Sequence, residues 1–140
     1  MDLITITRRQ GRAFDIRVRD QVIVCDMSVA DGGQGAGVSP VELFAGSLGA
    51  CVAMVVQNWC DTCGHDGDVE VSLALELVPD PTRIGLITVD VEVPPGVPAD
   101  RRDAVLRVVE HCVIQQTLKD PPKMDVEIEL DSERSSARVE

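Results

Sequence analysis

The sequence has few aromatic and few basic residues. It contains no tyrosine, two phenylalanines and one tryptophan, and its 13 Lys and Arg residues are outnumbered by 24 Asp and Glu residues. The formal net charge of −11 argues against a nucleic-acid partner, which requires a basic surface, and against binding to an anionic membrane. The shortage of aromatic rings also argues against base stacking. We therefore expect an aliphatic core.

The chain also lacks the pattern of a secretory leader. An acid stands at position 2, and no apolar segment precedes the arginines of MDLITITRRQ. The longest uncharged run, residues 43–60, approaches the length of a membrane span but contains two glycines, a serine, a glutamine and an asparagine. We interpret this run as a buried helix of a soluble, cytoplasmic protein.

Hydrophobic periodicity predicts an α+β domain. Alternating apolar residues predict strands at 2–8, 13–18, 21–25, 69–78, 86–93 and 124–130. A long helix is predicted from Pro40 to Cys63, and a second helix begins at Pro98 with Cys112 on its apolar stripe. By length this is a single domain over residues 1–130, followed by a polar tail at 131–140.

The long helix has a well-defined predicted start and end. Ser39 is suited to the N-cap, Pro40 to the first helical position, and Glu42 completes the spacing of a capping box. Gly64 is a suitable terminator. The middle of this helix is apolar on nearly every side, so we expect it to be central in the domain.

Five cysteines in a cytoplasmic chain are expected to be core residues, reactive thiols or metal ligands rather than disulfides. Cys51 lies in LGACVAMVV and Cys112 in EHCVIQQ. Each could be a small buried hydrophobe. Periodicity places both side chains toward the interior, so the two could be in contact. The residues alone do not show whether they are.

Two stretches resemble a known family. GGQGAGVSPVELFAGSLGACVAMVV resembles the central-helix motif of the OsmC/Ohr family of organic hydroperoxide reductases, in which a Gly-rich loop and a Ser-Pro-acid step lead into a helix with one cysteine. EHCVIQQTLKDPPKMDVEIEL is similar to the segment that carries the family's second cysteine. The resemblance covers about residues 5–130.

The resemblance implies an OsmC-like fold, with antiparallel sheets around a long central helix, in an intertwined homodimer with its sites at the subunit interface. It also implies a cysteine-based peroxidase of the oxidative stress response. Cys51 would attack an organic hydroperoxide, and Cys112 would resolve the sulfenic acid as a disulfide. An external dithiol of the lipoyl or thioredoxin type would reduce that disulfide. No metal or cofactor is expected.

The chain departs from the family pattern at two positions. Val41 stands where the best-studied branch has an acid, and Glu42 follows it, so Glu42 is a candidate catalytic residue as well as a helix cap. Val113 stands where the family often has a proline after its second cysteine. A mid-helix thiol in apolar surroundings has a raised pKa, so we expect a cation to lower it. Arg12 is the named candidate, with three neighbouring arginines as competitors.

Two other functions stay open. The first is an OsmC-like protein that binds an apolar ligand and has no peroxidase activity. The second is a dithiol or metal protein that uses Cys60, Cys63 and His65 of CDTCGH. Because this C-x-x-C closes a helix, it lacks the amide donors that lower a thiol pKa at a helix start. Cys60 is nine residues from Cys51, which places it on the opposite helical face.

Overall fold

The computed structural model describes residues 3–130, so the predicted tail at 131–140 lies outside the described residues. The chain forms two antiparallel sheets and a group of helices, which is the predicted α+β class. The elements in chain order are β1 (Ile4–Gln10), β2 (Ala13–Val18), β3 (Gln21–Cys25), α1 (Pro40–Thr62), β4 (Glu70–Val78), β5 (Arg83–Glu92), a 3₁₀ turn (Ala99–Arg101), α2 (Arg102–Glu110) and α3 (Val113–Lys119).

The first sheet has the order β1-β2-β3, and its register aligns Ile6, Ile16 and Ile23 across the three strands. On β2, the buried carboxylate of Asp15 accepts hydrogen bonds from Arg9 at 2.7 Å and from Arg17 at 2.9 Å. The pKa of Asp15 lies below its ordinary value, chiefly because of the Arg9 hydrogen bond. These ion pairs compensate for burying a charge between strands.

The central helix α1 begins as its sequence predicts. The Glu42 backbone N–H donates to the Ser39 hydroxyl at 3.2 Å, and the Ser39 N–H donates to the Glu42 carboxylate at 2.7 Å, which is a complete capping box. Gly64 ends the helix with a positive φ of 74°. By length and composition α1 would suffice to cross a membrane. In this fold one of its faces packs against β4, α2 and α3.

The core lies between α1 and the hairpin of β4 and β5. A Cβ at Gly49 would lie 2.5 Å from Cδ1 of Leu73, so glycine is needed where α1 approaches β4. Alternate residues of the hairpin face the helix. The buried centre consists of Leu48, Val52, Val56, Cys60 and Cys112.

The region after the hairpin differs from the prediction in one respect that concerns the site. A 3₁₀ turn precedes α2, and the chain leaves the helical conformation at Cys112, whose φ of −60° and ψ of 122° are extended. The prediction of Cys112 on a helical stripe was therefore wrong. Cys112 lies at the junction of α2 and α3, where it is fully buried.

The predicted final strand at 124–130 is also absent from the described chain. No strand of residues 3–130 pairs with residues 124–128, and the alternating apolar side chains there are exposed, with 91% of Met124 and 78% of Val126 accessible. Strand residues need a hydrogen-bonded neighbour, and neither sheet of the described chain supplies one.

Candidate active site: a thiol pair between two helices

The first component of the site is Cys51, in the middle of α1. Its neighbours Leu48 and Val52 are buried in the core, whereas Ala50 and Met54 are exposed. Cys51 lies on the boundary between these faces and is half-buried. Cys51 therefore packs against the core and stays partly exposed.

The second component is the junction of α2 and α3. The Cys112 carbonyl accepts a hydrogen bond from the Gln116 N–H at 3.0 Å, so Cys112 opens α3. The N–H groups in the first turn of a helix have no partner inside that helix. Here hydrogen bonding with the backbone of Val113 and Ile114 lowers the pKa of the Cys51 thiol. Hydrogen bonding with the Cys112 side chain lowers it as well and raises the pKa of Cys112.

The two thiols consequently have opposite pKa shifts. Burial raises the pKa of Cys51, but the hydrogen bonds from Cys112, Ile114 and Val113 outweigh it and hold the pKa below its ordinary value. Burial, together with its contact with Cys51, raises the pKa of Cys112. The geometry favours a Cys51 thiolate beside a protonated Cys112. A thiolate is the nucleophilic form of cysteine.

The structure thus brings together the two cysteines predicted from the sequence, and it supplies donors that the prediction lacked. The expected cation is not among the groups that lower the Cys51 pKa within residues 3–130. Backbone amides lower the Cys51 pKa instead. In the sequence, only Val113 indicated such a donor, because a proline at this position would have no backbone N–H.

The other candidates from the sequence lie elsewhere. The Glu42 carboxylate holds the helix cap nine residues before Cys51, on the opposite face of α1, and its catalytic role stays a prediction. Arg12 donates to the backbone carbonyl of Asp31 at 3.3 Å and borders a different cleft, beside the first turns of α1.

The C-x-x-C pair lies at the far end of α1. Cys60 is fully buried, and burial, Asp61 and Cys63 all raise its pKa, whereas Cys63 is exposed. The His65 ring lies tilted against the Trp59 ring, with 5.4 Å between the ring centroids. Within the part of the chain that the structure describes, no group of three or more His, Cys, Asp or Glu side chains could hold a metal ion.

The protein is an antiparallel α+β domain with a pair of interacting thiols at its central helix, and comparison with known proteins identifies its family. The model of the OsmC-like protein family matches residues 32–127, which include the Gly-rich loop, α1 and both cysteines of the pair. The chain belongs to the OsmC-like family. Comparison with curated proteins found no significant match.

Solved structures agree with this assignment. An OsmC-like protein from Mycoplasma pneumoniae is similar, with a TM-score of 0.74 at 13% identity over 86% of this chain and 89% of that chain. An organic hydroperoxide resistance protein OsmC from Legionella pneumophila has a TM-score of 0.67 at 17% identity, covering 86% and 90%. The organic hydroperoxide resistance protein OhrB of Bacillus subtilis has a TM-score of 0.61 at 21% identity, covering 85% and 92%. At these identities the likeness shows a shared fold, which confirms the predicted fold.

Proposed function

We propose that this protein is a cysteine-based peroxidase that reduces organic hydroperoxides, with Cys51 as the nucleophile and Cys112 as the resolving thiol. The observation that carries the proposal is the interaction between these two thiols, which lowers the pKa of Cys51 and raises that of Cys112. Membership of the OsmC-like family, and the structural likeness to two organic hydroperoxide resistance proteins, support a redox role toward peroxides.

The proposed reaction begins at the Cys51 thiolate. Its sulfur attacks the outer oxygen of the hydroperoxide, the O–O bond breaks, and the departing alkoxide takes a proton from water to become an alcohol. Cys51 is now a sulfenic acid. The Cys112 sulfur attacks it, the hydroxyl leaves with the Cys112 proton as water, and a disulfide forms. Two electrons have passed from the thiols to the peroxide.

An external dithiol must then restore the pair. A thiolate of that dithiol attacks one sulfur of the Cys51–Cys112 disulfide, and its second thiol releases the reduced protein by exchange. The lipoyl or thioredoxin type of donor belongs to this proposal. A reducing cytoplasm, which we propose as the location, would keep the other three thiols reduced between turnovers.

Disulfide mapping tests this function directly. The reduced protein is treated with one equivalent of tert-butyl hydroperoxide, and disulfides are identified by mass spectrometry of peptides. We expect one link, between Cys51 and Cys112, and one equivalent of tert-butanol. A Cys60–Cys63 link, or unchanged thiols with unconsumed peroxide, would contradict the proposal.

We also propose that two copies form a homodimer. Within residues 3–130 the supporting observations are sheet edges with no neighbouring strand and exposed apolar side chains: 57% of Ile6 on β1, 71% of Met54 on α1 and 76% of Ile128 are exposed. A second copy would cover these faces and the 124–130 segment, because open apolar edges otherwise promote aggregation.

Sedimentation of matched variants tests the dimer. Val126→Asn places a polar side chain on the apolar face of the 124–130 segment, and Asp125→Asn places the same residue on its other face. We expect Val126→Asn to weaken the dimer and Asp125→Asn to leave it intact. A monomeric unmodified protein at micromolar concentration would refute the homodimer.

A further inference from the structure

The C-x-x-C pair at the end of α1 takes no part in the proposed peroxidase. Cys60 lies in the last turn of the helix, and Cys63 is its C-cap in a helical conformation, so the two side chains are neighbours on one face. The Cys63 N–H keeps the helical hydrogen bond to the Trp59 carbonyl at 3.0 Å. Burial, Asp61 and then Cys63 raise the pKa of Cys60, and the last of these influences agrees with the closeness of the two thiols.

The two thiols of this pair differ in access. Cys63 is exposed, whereas Cys60 is fully buried in the same core cluster as Cys112. Cys63 is also nine residues after Met54, on the opposite helical face from the apolar side chain that a second copy would cover. A reagent in solution therefore reaches the Cys63 sulfur first. An accessible thiol with a protected thiol behind it is the arrangement that thiol–disulfide exchange requires.

The end of α1 allows the two sulfurs to join. Cβ atoms three residues apart on a helix lie about 5–6 Å from each other, and a disulfide needs about 3.5–4.5 Å, so the side chains must approach by about 1–2 Å. At Cys63 the chain leaves the helix through Gly64, whose φ of 74° favours glycine. A rotation at this point changes the capping hydrogen bonds from Cys63, Gly64 and His65 and leaves the rest of α1 in place.

We infer that Cys60 and Cys63 form a second redox site that reacts with small-molecule disulfides. The Cys63 thiolate attacks one sulfur of the disulfide, the S–S bond breaks, and the departing thiolate takes a proton from water to become a thiol. Cys63 is now joined to the other half of the reagent. The Cys60 sulfur attacks the Cys63 sulfur, and its proton leaves with the second thiol. Two electrons have passed from the pair to the reagent, and a Cys60–Cys63 disulfide remains.

Disulfides, rather than peroxides, are the reagents that suit this pair. The end of a helix presents carbonyl oxygens, whereas the backbone amides beside Cys51 belong to a helix start and lower its pKa. Disulfide exchange depends on access and on the thiolate fraction, and it proceeds with a thiol that no amide stabilises. The pair would thus clear mixed disulfides from the exposed Cys63. This inference is independent of the proposed peroxidase, because neither Cys51 nor Cys112 takes part.

Reaction of the full-length protein with excess bis(2-hydroxyethyl) disulfide, a small uncharged probe, tests the inference. The test uses Cys51→Ser, in which the first pair cannot form its disulfide and Cys63 is the one cysteine that is not buried. We expect the intact mass to fall by two hydrogens, two molecules of mercaptoethanol to be released, and peptide mapping to show a Cys60–Cys63 link. Thermal melting verifies that the variant folds, and the unmodified protein should form the same link.

Two substitutions, each added to Cys51→Ser, separate the roles of the two thiols. Cys60→Ser should stop the reaction at the mixed disulfide, so that Cys63 keeps one hydroxyethylthio group. Cys63→Ser should not react while folded, because Cys60 is buried. An unreacted Cys63, or a mixed disulfide that persists on Cys63 while Cys60 is intact, would overturn the inference. An adduct on Cys60 in the folded Cys63→Ser protein would also overturn it.

Discussion

The chain's two cysteine pairs border one hydrophobic core but differ in what surrounds their sulfurs. Cys51 is half-buried and receives hydrogen bonds from two backbone amides and a thiol, which lower its pKa. Cys60 is fully buried and lies near Asp61 and Cys63, which add to the effect of burial and raise its pKa. In each pair one thiol lies in the core, Cys112 or Cys60, and the other lies nearer the surface, Cys51 or Cys63.

The difference shows that the C-x-x-C spacing is a poorer guide to reactivity than the donors around a sulfur. A C-x-x-C at a helix start has unpaired N–H groups beside its first thiol, whereas this one lies at a helix end, where unpaired carbonyls are. Cys51 has no amide donors from its own helix. It acquires them because another helix begins beside it.

The largest effect should come from removing the thiol with the lowered pKa. Cys51→Ser should abolish reduction of tert-butyl hydroperoxide, because it removes the thiol whose pKa is lowered and which we propose as the nucleophile. Cys60→Ser is the matched control and should retain most of the activity. Consumption of peroxide in the presence of a dithiol measures both. Equal loss of activity in the two variants would show that the two cysteine pairs do not differ in reactivity.

Removing the resolving thiol should have the next largest effect. Cys112→Ser leaves the Cys51 sulfenic acid without a neighbouring thiol, so excess peroxide should convert it to the sulfinic acid. Intact-protein mass spectrometry should show a gain of two oxygens on Cys51. In Cys63→Ser, the control, Cys51 should instead form its disulfide with Cys112.

A smaller effect isolates one amide. Val113→Pro removes the N–H at the first position of α3, where proline is well tolerated, and the extended conformation of Cys112 is the one that a following proline requires. One donor to the thiolate is lost, so the pKa of Cys51 should rise. The pH profile of Cys51 alkylation should move to higher pH and its rate at neutral pH should fall.

Val113→Ala keeps the amide and serves as the control for the loss of the valine side chain, which is 70% exposed. Its profile should match that of the unmodified protein. Identical profiles for the proline and alanine variants would mean that the Val113 amide does not stabilise the thiolate.

The smallest effect concerns the other pair. Asp61→Asn removes a negative charge that raises the pKa of Cys60, so the pKa should fall and alkylation of Cys60 in partly unfolding conditions should be faster at a given pH. Cys51 lies outside the influence of Asp61, and its alkylation should not change. Differential alkylation followed by peptide mass spectrometry reports both residues in one sample.

Much of the fold could be predicted because local signals were strong. The Ser39 cap and Gly64 terminator predicted α1 to within one residue at its end, and alternating residues predicted the β4–β5 hairpin. The break at Cys112 could not be predicted in this way. No proline or glycine marks it, and the apolar spacing through Val105, Val108 and Cys112 is that of a continuous helix.

The 124–130 segment shows the limit of such patterns. Its alternation is that of a strand, yet a strand exists only where another strand supplies hydrogen bonds, and no strand of the described chain pairs with residues 124–128. The local pattern states which conformation a segment favours. Whether a partner is present is a property of the assembled molecule.

The sequence by itself determined the elements of this protein, its aliphatic core and the presence of two thiols in apolar segments, because periodicity and capping act over a few neighbouring residues. Only the tertiary structure decided which thiol has the lowered pKa. That outcome depends on the beginning of α3 meeting the middle of α1, more than 60 residues earlier in the chain. The groups that lower the pKa are backbone amides, and the identity of a side chain does not show where its backbone amide will lie.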